Sequence, residues 1–216
     1  METQVEQGES LARSAFLLAF DLRKEKLTQG GELGYLLRAA TLAELLLAGN
    51  LADESGKARA LTAPAAEPGS LRAVVWEQIS NSPPRSWRRW VQKDSGKAVR
   101  MVRDELAAAR MISVERRRIL LFSVERITPR KAYLSRRLAE RVSRAIRGGQ
   151  PVGHLDEDVR ILAALATAAR LKTVVHSWRE TRLRRNRIQQ LSAPVEPIAT
   201  ALRKSVEAAK SAYGEG

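Results

Sequence analysis

Cysteine is absent, which excludes disulfides, thiolate zinc sites and cysteine nucleophiles, and fits a reducing compartment. Histidine is nearly absent. Only His154 and His176 occur, with no second ligand at zinc-like spacing. His154, beside Gly153, reads as a solvated loop residue and His176 as a partly buried helical one, so neither is cast as a metal ligand or a general base. No glycine motif suits phosphate cradling and no nucleophile elbow is present; Gly30-Gly31 and Gly148-Gly149 read as helix punctuation. A non-enzymatic protein without metal or cofactor is expected. Only 13 glycines and 8 prolines stand against a hydrophobic content of 44%, which argues for a folded chain rather than disorder. No run of 18 apolar residues exists; the best, residues 33–47, is broken by Arg38 and Glu44, so no membrane-spanning helix is expected. The start, METQVEQGES, is polar and acidic, unlike a signal peptide. Residues 1–10 are expected to be flexible and residues 11–216 to form one domain in the cytoplasm.

What the chain does have is positive charge, and it is concentrated. The net charge is +14. Residues 85–147 hold 19 Lys+Arg against 6 Asp+Glu, and the rest holds 19 against 18. One central segment therefore carries nearly the whole imbalance. A single-sign field of this kind favours a polyanionic partner: nucleic acid, an acidic protein or an anionic membrane face.

Periodicity places the elements. LARSAFLLAFDLRK has helical spacing and ends at a polar turn, and GGELGYLLRAATLAELLLAGN follows with apolar residues at nearly every turn and Gly49 as its C-terminal cap. A helix apolar on most sides belongs at the centre of a bundle. Residues 50–64 read as a hairpin turning at Glu54-Ser55-Gly56-Lys57. A helix follows Pro68, and the double proline at 83–84 precedes a short helix with Trp87 and Trp90 on one packing side. KAVRMVRDELAAARM, residues 97–111, is helical, with Arg100 and Arg103 three apart on one face. Asp156-Glu157-Asp158 suits the first turn of a helix better than a cation site. A long basic helix to Leu191 and a terminal one after Pro194 complete an all-α chain carrying one or two short β-hairpins.

Residues 115–126, ERRRILLFSVER, combine the two themes. Ile119, Leu120, Leu121 and Phe122 sit between Arg116-Arg117-Arg118 and Arg126, and the branched and aromatic residues say strand. A four-residue apolar tip in water invites association, with lipid or with another protein.

The order and spacing of LLRAATLAELLLAGNL, SPPRSWRRWV, VRMVRDEL, the ILLF hairpin before Thr-Pro, and DVRILAALATAARL resemble the Golgi phosphoprotein 3 family. The Ala/Arg-rich composition points to a bacterial member. The resemblance implies a helical bundle surrounded by amphipathic helices. It further implies a non-enzymatic peripheral membrane protein that binds phosphatidylinositol 4-phosphate, or another anionic phospholipid, from the cytoplasmic side. By that resemblance Arg38, Arg100 and Arg103 hold the headgroup phosphate, and Ile119, Leu120, Leu121 and Phe122 dip into the bilayer. The family's pocket tryptophan falls on Gln29, and the stretch between Arg103 and Phe122 is shorter here by about one helical turn. The family also implies the cytosolic tails of membrane enzymes as partners.

The residues themselves support an anion site. Two arginines at i, i+3 can converge on one phosphate with bidentate bonds. Arg38, inside an apolar helix, must meet an anion or a carboxylate, and Glu44 and Asp104 are the carboxylates expected to compete for it. Two other readings use the same residues: a nucleic-acid-binding protein with an arginine-rich wing, which leaves the apolar tip unexplained, and an oligomerisation or adaptor module in which the hairpin tip meets a second copy.

Overall fold

In a computed structural model, the structure describes residues 10–28, 30–119, 122–175 and 182–214. Two helices occupy the centre. The first, α2 (Leu33–Leu47), buries Leu36, Leu37, Ala39, Ala40, Leu42, Ala43 and Leu45 almost completely. Apolar positions around the whole circumference leave it no solvent face, as its pattern requires. The second central helix is α7 (Glu157–Ala168), which buries the run from Ile161 to Ala166. Around them lie α1 (Leu11–Leu18), α3 (Leu71–Ser80), α4 (Trp87–Gln92), α5 (Ser95–Ala108), α6 (Ala132–Arg147), α8 (Arg185–Ser192) and α9 (Glu196–Gly214). The fold is mainly α, with small antiparallel hairpins.

Local chemistry sets the ends. Gly49, at φ +70°, terminates α2: its N–H meets the Leu46 carbonyl, and the Asn50 N–H reaches back to the Leu45 carbonyl at 2.8 Å. This is the left-handed glycine cap that lets a chain turn sharply out of a helix. The next residues form the hairpin β3 (Leu51–Glu54) and β4 (Lys57–Ala60), with Glu54 paired to Lys57 across Ser55 and Gly56. A two-residue strand β5 (Arg85–Ser86) extends it, and an equally short pair, β1 (Phe20–Asp21) and β2 (Lys26–Leu27), follows α1. Neither short element is expected from periodicity, because two residues carry no period.

Carboxylates from the interior close two helix starts. Glu44 of α2 accepts the Leu11 N–H at 2.8 Å and the Ser10 hydroxyl at 3.2 Å. Glu105 of α5 accepts the Leu71 N–H at 2.9 Å and Arg13 Nε at 3.2 Å, tying α1, α3 and α5 together. Both satisfy orphan donors of a helix N-terminus from outside the helix.

Trp87 and Trp90 are buried packing residues, as expected. His154 is exposed in a short 3-10 turn, whereas His176 and Trp178 lie outside the described residues. Asp156 precedes α7, with Glu157 and Asp158 in its first turn, as a helix start requires. The expected long basic helix is corrected: the described residues up to Leu191 are interrupted at Arg184, and α8 begins only at Arg185.

Candidate functional site

The last hairpin is the longest, β6 (Ile112–Ile119) and β7 (Phe122–Pro129), paired in unbroken register from Ile112–Pro129 to Ile119–Phe122. Eight residues per strand span roughly 25 Å. Its foot belongs to the core: Ile112 and Pro129 are buried, and Val114 and Ile127 pack against the core. The register then pairs Arg116 with Glu125, Arg117 with Val124 and Arg118 with Ser123. The cationic run and Ile119–Phe122 therefore follow the foot outward along the ladder. Leu120 and Leu121, between the two strands, lie outside the described residues.

Among the described residues, ion pairs to two neighbouring elements brace the hairpin. Arg103 of α5 pairs with Glu125 on β7, and Arg126 pairs with Glu25 in the β1–β2 turn. Arg103 also holds Asp104, through Nε at 2.9 Å and Nη2 at 2.8 Å. Burial works against its charge, but the hydrogen bond and charge of Asp104, followed by those of Glu125, hold the guanidinium above its ordinary value. Arg100, one turn earlier, is exposed and makes no ion pair among the described residues.

Arg38 is in a different situation. It is 1% exposed. Its Nε donates to the Trp90 carbonyl at 2.9 Å and its Nη1 to Gln78 Oε1 at 3.0 Å, while Nη2 is buried without a hydrogen-bond partner among the described residues. Gln78 in turn donates to Asp94 Oδ2 at 3.0 Å. Burial lowers the guanidinium from its ordinary value to about 10, against the pull of Asp94. The expected competition from Glu44 or Asp104 does not occur, because Glu44 is turned to the start of α1 and Asp104 to Arg103.

Close backbone contact brings the two arginine-bearing helices together. A Cβ on Gly34 would lie 2.3 Å from the Ser95 carbonyl oxygen, so only glycine lets the first turn of α2 touch the first turn of α5. Arg38 follows one turn after Gly34, and Arg100 between one and two turns after Ser95. The helices are thus joined close to both residues, but Arg38 is directed to α3 and α4 and Arg103 to the hairpin. Gln29 lies outside the described residues, and Tyr35, in the first turn of α2, is half-buried against the core.

Among the described residues, no group of three His, Asp or Glu is arranged to hold a metal, and no helix is long and apolar enough to cross a membrane. Sequence reasoning missed Gln78 and Asp94, since a neutral amide and a helix-start aspartate carry no motif. It also missed the bracing role of Glu125.

A comparison with curated proteins returned no match. The family model of Golgi phosphoprotein 3 (GPP34) matches residues 11–209, from the first residue of α1 into α9. The chain belongs to the Golgi phosphoprotein 3 family.

Proposed function

We propose that the protein docks reversibly on an anionic membrane face, with Arg100 and Arg103 holding a lipid phosphate and the β6–β7 tip entering the bilayer surface. The observation that carries this reading is the order along the hairpin: core-anchored foot, arginine run, then the apolar Ile119–Phe122 end. That order matches the layers of an anionic bilayer, phosphate outside and hydrocarbon beneath. Family membership supports lipid binding, with phosphatidylinositol 4-phosphate as the specific headgroup and a bacterial anionic lipid as the general one.

Half-inserting four large apolar side chains contributes about 3–6 kcal/mol in all. Each arginine near the anionic surface adds about 1 kcal/mol. Neither contribution alone anchors a protein firmly; together they give reversible docking. Arg100 is immediately available to a phosphate. Arg103 must exchange carboxylate partners for one. Arg38, sealed in the core, supports the site indirectly by holding α2 to α3 and α4.

Co-sedimentation with phosphatidylcholine vesicles, with and without anionic lipid, beside duplex-DNA binding at matched salt, tests the reading. Anionic-vesicle binding should be lost in Arg100→Ala/Arg103→Ala and weakened in Leu120→Ser/Leu121→Ser. Unchanged sedimentation of both variants would sink it. A leucine variant that alters mass in light scattering without lipid would instead make the tip a contact between copies.

A further inference from the structure

The helix that leaves the hairpin carries a second arginine surface, which the structure completes with a distant segment. On α6, the exposed residues Tyr133, Arg136, Arg137, Glu140, Arg144 and Arg147 recur at steps of three and four, one stripe from end to end. Residues 182–187, RLRRNR, are set against its C-terminal end. Arg187 Nε donates to the Ala145 carbonyl at 2.7 Å, and Arg184 Nη1 lies 3.8 Å from where a Cβ of Gly148 would stand. Exposed Arg182 and Arg185 therefore join Arg144 and Arg147 across more than thirty residues of sequence. None of these four, nor Arg136 or Arg137, makes an ion pair among the described residues.

Apolar side chains bound the stripe at both ends. Tyr133, 62% exposed, stands beside the hairpin's foot, and Leu183, 84% exposed, lies among the far arginines. They are the two most exposed large apolar residues among those described. A duplex-binding surface gains from the arginines but nothing from a leucine fully in water. An interfacial surface uses both, cations at the phosphates and Tyr and Leu at the acyl boundary.

We propose that the exposed face of α6, completed by residues 182–187, is a second docking surface for anionic phospholipid, whose phosphodiesters the arginines meet and into whose interface Leu183 inserts. The proposal rests on the membrane reading above and extends it from one pocket to a second point of contact. Sixteen residues of α6 separate the hairpin from the far cluster, roughly 24 Å. A screening length of about 8 Å makes the two points electrostatically independent, so they can be tested apart. A lipid surface has the extent to reach both, whereas a single headgroup has not.

The test uses the full chain with vesicles of phosphatidylcholine alone, with phosphatidylglycerol, or with phosphatidylinositol 4-phosphate. The quadruple variant Arg144→Gln/Arg147→Gln/Arg182→Gln/Arg185→Gln leaves Arg187 and its carbonyl contact intact. At about fivefold per arginine near the surface, it should lower partitioning to phosphatidylglycerol vesicles by at least roughly tenfold. Because the chain has no cysteine, Leu183→Cys carries a polarity-sensitive dye at one site only. Its emission should shift to the blue on both anionic vesicles and stay unchanged on phosphatidylcholine. Wild-type binding with neither effect overturns the proposal, and so does weaker partitioning without a dye shift, which would mean attraction without contact. A quadruple variant that loses duplex-DNA binding but keeps its vesicle binding assigns the surface to nucleic acid and also overturns it. If the wild type fails to sediment with any anionic vesicle, the pocket reading falls first and this one with it.

Discussion

Arg38 on α2 and Arg103 on α5 carry the same charge into opposite surroundings. Arg38 is sealed in the core and answered by a carbonyl and an amide, with Asp94 one hydrogen bond further away. Arg103 lies near the surface and is answered directly by two carboxylates. The buried cation on α2 is held by neutral acceptors on α3 and α4, so it organises these three helices whether or not a ligand is present. The surface cation is held by partners that an incoming phosphate can replace. A shared charge thus divides into a structural role and an exchangeable one, and Arg100, exposed and without an ion pair among the described residues, stands at the far end of that series.

The sharpest way to break this division is Arg38→Ala. It removes two hydrogen bonds from a charged donor and leaves a cavity among α2, α3 and α4, a loss of about 3 kcal/mol or more. For a chain of this size the thermal midpoint should fall by roughly 6–12 °C. Arg100→Ala, followed in the same melting experiment, should change stability by no more than about 0.5 kcal/mol. Equal midpoints for the two variants would make Arg38 a ligand-binding residue with no structural share.

A smaller effect separates Arg103 from Arg100. If Glu125 competes with lipid phosphate for Arg103, Glu125→Gln should strengthen binding to anionic vesicles by a few-fold, up to about fivefold for one charge near the surface. Arg103→Gln should weaken it by a similar factor. In the double variant the gain from Glu125→Gln should disappear, since the arginine it releases is gone. A gain that persists in the double variant would assign the Glu125 effect to net charge alone.

What the sequence reveals and what it hides differ in a physical way. The central helix α2, its glycine stop, the Ser55-Gly56 turn and the acidic start of α7 are local: each is written in neighbouring residues, and each appears where the spacing puts it. The arms of β6–β7 follow the same rule. The surroundings of Arg38 are not local. An arginine in an apolar helix demands partners, and the intuitive ones are carboxylates, but a backbone carbonyl on α4 and the amide of Gln78 leave no trace in composition. The close approach of Gly34 to Ser95 is equally silent, since any glycine near a helix start reads as punctuation. The juxtaposition of Arg144 and Arg147 with residues 182–187 is hidden for the same reason: charge counted along the chain assigns those residues to different regions, and the Arg187 bond to the Ala145 carbonyl and the approach of Arg184 to Gly148 bring them together.

Glu44 gives the last and smallest test, because it is the other charge in α2 and shows that the helix does not neutralise itself. Arg38 and Glu44 face different neighbours, so each must be stabilised locally. Burial, the largest influence, raises the Glu44 carboxyl above its ordinary 4.5, and Asp158 adds to this, while the Leu11 N–H, Arg72 and the Ser10 hydroxyl pull the other way. With the folded value raised, the native state keeps a proton that the unfolded chain has already released. The contribution of Glu44 to stability is therefore fully present below pH 4.5 and is lost as pH rises through the folded value. Urea unfolding followed from below that pH upward should show this decline, and Glu44→Gln should flatten it while keeping an acceptor for the start of α1. Asp158 is raised as well, chiefly by burial and then by Glu157, so Asp158→Asn is the necessary companion. A slope that survives Glu44→Gln but vanishes in Asp158→Asn would move the pH dependence from α2 to the first turn of α7, and would leave Glu44 as a helix cap that keeps its charge.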